Sequence, residues 1–146
     1  MKVLIKKLNS EVEIPLYKTK GAAGFDIASI EDVDIYPGDT RIVKTGLSFK
    51  IPEGYELQIR PRSGISSKTN LRIANSPGTI DSDYIGEVCI IIDNINTNCD
   101  KRIPYSIKKG DRIAQGVICQ ITQAEFYETE DLPETERGDR GFGHTG

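Results

Sequence analysis

The 146-residue chain has no tryptophan, one methionine and a single histidine, His144. With one imidazole available, most histidine-ligated metal sites are excluded, and a serine or cysteine nucleophile would have only one possible histidine base. The three cysteines, Cys89, Cys99 and Cys119, are odd in number and show no CxxC spacing. They are interpreted as reduced core or near-core residues of a cytosolic protein.

Long apolar runs and long runs of like charge are also absent. No apolar segment approaches the roughly 18 residues that cross a bilayer, and the apolar part of residues 1–7 is too short for a secretory signal. The net charge is −3, with acidic and basic residues interleaved, so no basic stripe follows a phosphodiester backbone. The sequence thus predicts a cytoplasmic protein of one domain, with no membrane partner and no nucleic-acid polymer partner.

Apolar and polar residues alternate in several short segments, a pattern that predicts β-strands. These segments are 11–14, 33–36, 42–51 and 55–60. Two mostly apolar runs, 88–92 and 113–121, are typical of strands covered on both faces, and we expect them at sheet centres. The only predicted helix is a turn or two across residues 63–69. With proline and glycine turns between the strands, the pattern indicates an all-β sandwich or barrel.

The end of the chain differs in composition from the rest. After Ala124 it becomes acidic and polar, so residues 1–124 are interpreted as the domain and 125–146 as an arm. Four glycines make residues 137–146 costly to order alone. Their amides, two arginines and the Phe142 ring favour a lid over a nucleotide, with a disordered terminus as the alternative.

A second polar segment, residues 75–87, is predicted to be a β-hairpin whose Pro-Gly turn carries polar residues. Asp81 and Asp83 stand two apart, which on a strand places both carboxylates on one face. One of them is a candidate general base facing a pocket. The alternative is that both are solvated hairpin acids.

Three shorter segments also contain candidate site residues. Residues 60–64 place Arg62 and Ser63 before the predicted helix, which suits either a phosphate site or a serine N-cap. Gln115 interrupts an apolar strand, so its amide is either structurally paired or directed at a ligand. Asp26 lies between apolar neighbours and is either a satisfied buried acid or a functional one.

In chain order, five segments resemble the five motifs of the trimeric dUTPase family. They are residues 23–28, 62–64, 75–86, 112–116 and 137–146. The most specific are the Gly-Thr-Ile-Asp-Ser-Asp-Tyr run and the Gly-Phe-Gly-His-Thr-Gly ending. Two positions depart from the family pattern: Arg140 replaces a common glycine, and His144 a frequent serine. Both departures concern local phosphate contacts.

The resemblance implies a distorted jelly-roll β-barrel that hydrolyses dUTP to dUMP and pyrophosphate. Asp81 would be the base that activates water at the α-phosphorus. Uracil and deoxyribose would be recognised by Asn75, Gly78, Thr79, Ile80 and Tyr84. The α- and β-phosphates would be held by Arg62, Ser63, Gly64 and Gln115. The γ-phosphate would be held by Arg137, Gly143, His144 and Thr145, with Phe142 stacked over uracil.

Mg²⁺ is the implied cofactor, because it prefers phosphate oxygens and retains several waters. No direct protein ligand is assigned to it, and Asp26 is a candidate contact to its waters. The resemblance further implies a homotrimer with shared active sites. Two alternatives remain open: a relative of dCTP deaminase, and a non-catalytic protein that senses dUTP and binds a protein partner.

Overall fold

The computed structural model describes residues 1–97 and 103–141, which contain eleven strands and one short helix. The predicted strand-rich fold with a single helix is confirmed. In chain order the elements are β1 (Leu4–Lys7), β2 (Phe25–Ala28), β3 (Val33–Ile35), β4 (Thr40–Lys44), β5 (Leu47–Lys50), β6 (Tyr55–Arg60), α1 (Ser63–Lys68), β7 (Leu71–Ile73), β8 (Gly78–Ile80), β9 (Cys89–Asn94), β10 (Tyr105–Ile107) and β11 (Arg112–Gln120).

All the strand pairs are antiparallel and form four sheets. The largest has the order β2-β11-β6-β8, the next has the order β4-β9-β7, and the pairs β1-β5 and β10-β3 complete the set. β9 and β11 each pair on both sides, so the prediction that these two apolar runs are central strands is confirmed. The fold is jelly-roll-like, and among the described strands the sheets do not close into a continuous barrel.

The core is formed by the inward faces of these sheets. The Phe25 and Phe49 rings stack with their centroids 6.1 Å apart. The Tyr17 and Phe25 rings are nearly perpendicular, with their centroids 5.6 Å apart. Gly116 of β11 packs against the Phe25 ring, because a Cβ there would stand 2.6 Å from ring carbons of Phe25 and 2.9 Å from Leu57. Glycine at this position lets β11 lie close to the Phe25 ring.

Two strand predictions are wrong in detail. Residues 11–14 form no strand, because a local turn begins at Asn9 and includes Glu11 and Val12. The Asn9 side chain accepts a hydrogen bond from the Glu11 amide at 2.9 Å, and the Asn9 carbonyl accepts one from the Val12 amide at 3.2 Å. The predicted strand 42–51 is divided at Gly46, whose φ of 67° leaves the extended region. A Cβ at Gly46 would stand 2.5 Å from Val12, so the division also makes space for that buried side chain.

Residues 75–87 do not form the predicted self-paired hairpin. β7, before the segment, pairs with β9, whereas β8 within it pairs with β6 of the other sheet. The chain crosses from one sheet to the other at the Ser76–Pro77 turn, so the two flanks never meet. The alternating pattern reflects pairing with distant strands rather than with each other.

The arm has no regular structure among its described residues, 125–141. Its apolar side chains are nearly fully exposed: Phe126 by 96%, Tyr127 by 80% and Leu132 by 82%. The division of the chain at residue 124 stays a prediction. Nowhere in residues 1–97 and 103–141 is there a helix with the length and apolar character of a membrane span.

The two described cysteines are half-buried free thiols, as predicted for near-core residues. Burial raises the pKa of the Cys89 thiol, and the neighbouring Glu87 carboxylate raises it further. Cys99 lies outside the described residues.

Candidate active site

Arg62 stands between β6 and α1, where the chain changes direction. Its backbone is extended (φ −91°, ψ 134°), it precedes the first helical residue, and no side chain caps the helix. Ser63 is therefore the first residue of the helix and not its N-cap, contrary to that alternative. Ser63 and Gly64 are exposed directly after Arg62, whereas the Ile65 amide donates to the Arg62 carbonyl at 3.0 Å.

Asp26 of β2 links Arg62 to Arg112 at the start of β11. Arg62 donates from Nε to Asp26 Oδ1 at 2.7 Å and from Nη1 to the Arg112 carbonyl at 2.9 Å. Arg112 donates from Nη1 to Asp26 Oδ2 at 3.1 Å. One carboxylate and two guanidiniums thus form a cluster of net charge +1; we call these three residues the Asp26 cluster.

Gln115 supports the loop before Arg62. Its backbone lies between β2 and β6, since Gln115 pairs with Asp26 on one side and Arg60 on the other. Its Nε2 donates to the Pro61 carbonyl at 2.9 Å. A Cβ on Gly24 would stand 2.8 Å from Gln115 Oε1 and 3.3 Å from the Gly116 carbonyl oxygen, so the amide packs closely against this glycine. The Gln115 amide is thus paired with the backbone, and its contact with a ligand stays a prediction.

Asp81 follows β8 and begins a tight turn. The Tyr84 amide donates to the Asp81 carbonyl at 3.2 Å, so Asp81 and Asp83 lie in a turn. The hairpin prediction had placed both residues on a strand. Both are exposed and line a cavity of about 610 Å³, into which Lys50 also projects. Lys50 Nζ donates to the Ser82 carbonyl at 2.9 Å and so ties the turn to β5.

The Tyr84 ring is held on the same turn. Its hydroxyl donates to the Glu87 carbonyl at 3.0 Å, and the side chain remains 45% exposed. A Cβ on Gly86 would stand 2.5 Å from the Tyr84 hydroxyl oxygen, so the hydroxyl end of the ring packs against this glycine. That end is thus held in place while the side chain stays partly open to solvent.

Asn75 and Gly78 pack together where β8 begins. Gly78 is buried, and a Cβ there would approach the Asn75 amide nitrogen to 3.2 Å and Ile59 to 3.3 Å. Thr79 is exposed and Ile80 half-buried, opposite Gln58 and Leu57 of β6. The segment presents backbone edges and small side chains next to the Asp81 turn.

Within one chain, the Asp81 turn and the Asp26 cluster lie apart. Ile80 pairs with Leu57 near the start of β6, whereas Arg62 lies two residues beyond its end. Arg62 lies five positions after Leu57, so in extended chain the two residues are about 15 Å apart. The cavity beside Arg62 and Arg112, about 280 Å³, shares no residue with the cavity beside Asp81.

The described part of the tail contacts neither group. Arg137 donates from Nε to the Arg140 carbonyl at 2.8 Å, and Arg140 returns the bond to the Arg137 carbonyl at 2.9 Å. The other predicted tail residues lie outside the described part of the chain; they are Phe142, Gly143, His144 and Thr145.

Sequence reasoning gave no role to Arg112 and left that of Asp26 open. The sequence contained part of the information needed. Asp26 lies between apolar neighbours in β2 and needs a polar partner, and Arg62 and Arg112 are basic residues of two other family motifs. Across residues 1–97 and 103–141, no group of three or more acidic, histidine or cysteine side chains converges on a metal position.

The dUTPase family model matches residues 10–146. The chain belongs to the dUTPase family. A relative named deoxyuridine 5'-triphosphate nucleotidohydrolase, from Nautilia profundicola, is 53% identical over 146 residues, which is 100% of this chain and 99% of the relative. A protein of the same name from Wolinella succinogenes is 47% identical, covering 100% of this chain and 95% of that protein.

Solved dUTPase structures share the fold. The dUTPase of Staphylococcus bacteriophage 80alpha with dUPNHPP has a TM-score of 0.90 at 34% identity, covering 99% of this chain and 98% of that one. A mutant dUTPase from phage phi11 of S. aureus, which coordinates a structural Mg(II) ion, has a TM-score of 0.84 at 30% identity, with 90% and 99% covered. The dUTPase fold thus extends over nearly the whole chain.

Proposed function

We propose that this chain hydrolyses dUTP to dUMP and pyrophosphate, which limits dUTP and supplies dUMP for thymidylate synthesis. The observation that carries the proposal is the dUTPase family match over residues 10–146, in a chain that keeps an exposed carboxylate at Asp81. Relatives named for this activity, up to 53% identical over the full chain, support it.

In the proposed mechanism, Asp81 accepts a proton from the water that attacks the α-phosphorus. The turn that holds Asp81 is fixed by its own Tyr84 hydrogen bond and by Lys50, so the carboxylate is held in place without being covered. General-base assistance of this kind is worth about 10²- to 10⁴-fold. Pyrophosphate then leaves towards positively charged groups that stabilise it.

Arg62, Ser63 and Gly64 would hold the α- and β-phosphates. The remaining N–H donors of Arg62 and the hydroxyl of the exposed Ser63 are suitable donors for phosphate oxygens. Gln115 would act on the same phosphates, in part by holding the Pro61 carbonyl. The γ-phosphate would be bound by the tail through Arg137, Gly143, His144 and Thr145, with Phe142 over uracil.

Uracil would be recognised by Asn75, whose side chain packs against Gly78, and by the backbone of Gly78, Thr79 and Ile80, and a thymine methyl would be excluded sterically. Tyr84 would press against C2′ of the sugar and exclude a ribose hydroxyl. Steric exclusion suits this task, because a merely lost contact discriminates by only about 1–3 kcal/mol.

Replacing Tyr84 with alanine tests the sugar assignment. We expect Tyr84→Ala to raise kcat/KM for UTP relative to dUTP by about 10- to 200-fold, because the surface that excludes the 2′-hydroxyl is removed. Tyr36→Ala is the matched control, since Tyr36 is 42% exposed and lies outside the proposed site. An unchanged UTP to dUTP ratio in Tyr84→Ala would contradict this role.

Mg²⁺ is the proposed cofactor. Because no described cluster of acidic ligands converges on a metal position, the fit is to an ion bound mainly through substrate phosphates and water. When bound, the ion would neutralise phosphate charge and orient the triphosphate. Asp26 suits contact with the waters of the ion poorly, because each of its oxygens already accepts an arginine.

The active enzyme is proposed to be a homotrimer whose sites combine residues of different subunits. Leu57, which pairs with Ile80 next to Asp81, lies about 15 Å from Arg62 along extended chain, and this separation favours shared sites because each group then needs a neighbour to complete it. The exposed Phe126, Tyr127 and Leu132 of the arm suit contact with another subunit. We place the trimer in the cytoplasm.

A mixture of two inactive variants tests the shared site. Asp81→Asn and Arg62→Gln subunits, each inactive alone, are expected to regain part of the dUTP hydrolysis when they are unfolded and refolded together. Recovery follows because some mixed sites receive Asp81 from one chain and Arg62 from another. If both residues of a site came from one chain, the mixture would stay as inactive as its components.

Two other functions fit the chain less well. A dCTP deaminase-like activity is disfavoured by the Arg62-Ser63-Gly64 sequence and the phenylalanine-containing tail. A non-catalytic dUTP sensor is disfavoured by the exposed Asp81.

The proposed reaction is tested by hydrolysis of dUTP in water enriched in a heavy oxygen isotope. Isotope label in dUMP supports attack at the α-phosphorus, whereas label in pyrophosphate or no turnover contradicts it.

A further inference from the structure

The Asp26 cluster brings together charged side chains from three neighbouring parts of the large sheet. β2 carries Asp26, β11 begins with Arg112, and Arg62 follows β6. We propose that Asp26 is a positioning residue: it fixes the guanidiniums of Arg62 and Arg112 side by side so that they receive the phosphates together. This inference rests on the proposed function, since it concerns how the same site binds its phosphates.

The hydrogen bonds of Arg62 are the first argument. A guanidinium has five N–H donors in one plane. Asp26 takes one from Nε and the Arg112 carbonyl takes one from Nη1, and the two bonds together fix the plane of the group. The remaining donors are left for an anion, in an orientation that Arg62 alone would not keep.

The position of Asp26 is the second argument. Asp26 pairs with Gln115 across the β2–β11 ladder, and its neighbours Phe25 and Ile27 point into the core, so the backbone cannot shift. The side chains of Asp26 and Arg62 are 21% and 24% exposed, so their bond is largely shielded from water. Arg112 is 55% exposed and brings a second guanidinium to the solvent-facing side.

Two competing roles for Asp26 predict different signs. If Asp26 only contributed negative charge to an anion site, its neutralisation would tighten phosphate binding, because the cluster would change from +1 to +2. If Asp26 only contacted Mg²⁺-bound water, its neutralisation would leave metal-free binding unchanged and raise the Mg²⁺ concentration needed for turnover. Only the positioning role predicts weaker binding of a phosphate ligand without metal.

Calorimetric titration of the full-length protein with inorganic pyrophosphate in EDTA separates these outcomes. Asp26→Asn is expected to weaken pyrophosphate binding by about 10- to 100-fold, because small misplacements of binding groups have effects of this size. Unchanged or tighter binding would overturn the proposal. Asp39→Asn is the matched control, since it removes an Asp–Arg ion pair of similar length (2.9 Å) at an exposed surface.

A double variant keeps the test decisive if Asp26→Asn is unstable. Asp26→Asn/Arg62→Gln removes both partners of the shielded bond, so neither charge is left unpaired there. The loss of pyrophosphate binding that Asp26→Asn adds to Arg62→Gln is expected to be smaller than the loss that Asp26→Asn causes alone, because only Arg112 remains to be positioned. An equal loss in the two backgrounds would contradict positioning through Arg62.

The pyrophosphate titration does not depend on turnover. A wild-type protein that binds pyrophosphate and fails to hydrolyse dUTP would overturn the proposed function and leave the positioning role standing. The reverse result, full dUTP hydrolysis with unchanged pyrophosphate binding in Asp26→Asn, would overturn the positioning role alone.

Discussion

Asp81→Asn is expected to lower kcat for dUTP by about 10²- to 10⁴-fold while substrate affinity stays within a few-fold of wild type. Asparagine has nearly the same shape but accepts a proton far less readily, so the water at the α-phosphorus loses its base. The exposed Asp81 turn does not depend on this side chain for its backbone hydrogen bond, which uses the carbonyl. The variant should therefore fold normally.

The measurement pairs steady-state kinetics with titration of a non-hydrolysable dUTP analogue. Asp83→Asn is the matched control, because Asp83 lies two residues away in the same turn and lines the same cavity. We expect the control to keep most of the wild-type rate. Near-normal turnover in Asp81→Asn would remove Asp81 from the base role, and equal losses in both variants would indicate a general effect of charge in the cavity.

Removal of residues 137–146 is expected to lower activity by about 100-fold or more while the domain stays folded. Even one lost donor to a charge that develops in the transition state can have an effect of this size, and the tail would supply several, together with a cover against water. Stability should hold because hydrogen bonds of the described arm residues 125–141 join residues no more than four positions apart.

Thermal unfolding of the truncated protein checks the second half of this prediction, and kcat/KM for dUTP checks the first. Phe142→Ala in the full-length chain should reproduce part of the loss, because the proposed stacking on uracil is removed. An unaffected rate after truncation would return the tail to the disordered alternative, which was left open by its composition.

Sequence patterns predicted the central strands better than the edges. β9 and β11 are among the longer strands and are built on apolar runs, so their place inside a sheet is indicated by local sequence whatever their partners. The three-residue strands β7 and β10 were not predicted, because segments so short contain no period and exist only where a distant strand pairs with them. Pairing of this kind is a tertiary effect.

Residues 75–87 illustrate the same limit within the candidate site. The Pro-Gly turn and alternation were read correctly as turn and strand, but the predicted partner was the wrong one, since local sequence does not identify which sheet each flank joins. Because of that error, Asp81 was predicted on a strand, whereas it lies in a turn. Its proposed chemistry is unaffected, because an exposed carboxylate can serve as a base from a turn or a strand.

The site residues themselves were named from motif resemblance, and the contacts among them needed coordinates. Asp26 and Arg62 are 36 residues apart in the chain, and Asp26 and Arg112 are 86 apart. No spacing rule relates such positions in a β-fold, where neighbours are set by strand order. The same holds for Gln115 and the Pro61 carbonyl, which are 54 residues apart.

The most direct test of the proposed activity is chromatography of products after the protein is incubated with equimolar dUTP, dTTP, dCTP and UTP in Mg²⁺. The predicted result is selective conversion of dUTP to dUMP, with the other three nucleotides unchanged. Deamination of dCTP, or binding of dUTP without turnover, would contradict the account and favour one of the two alternatives.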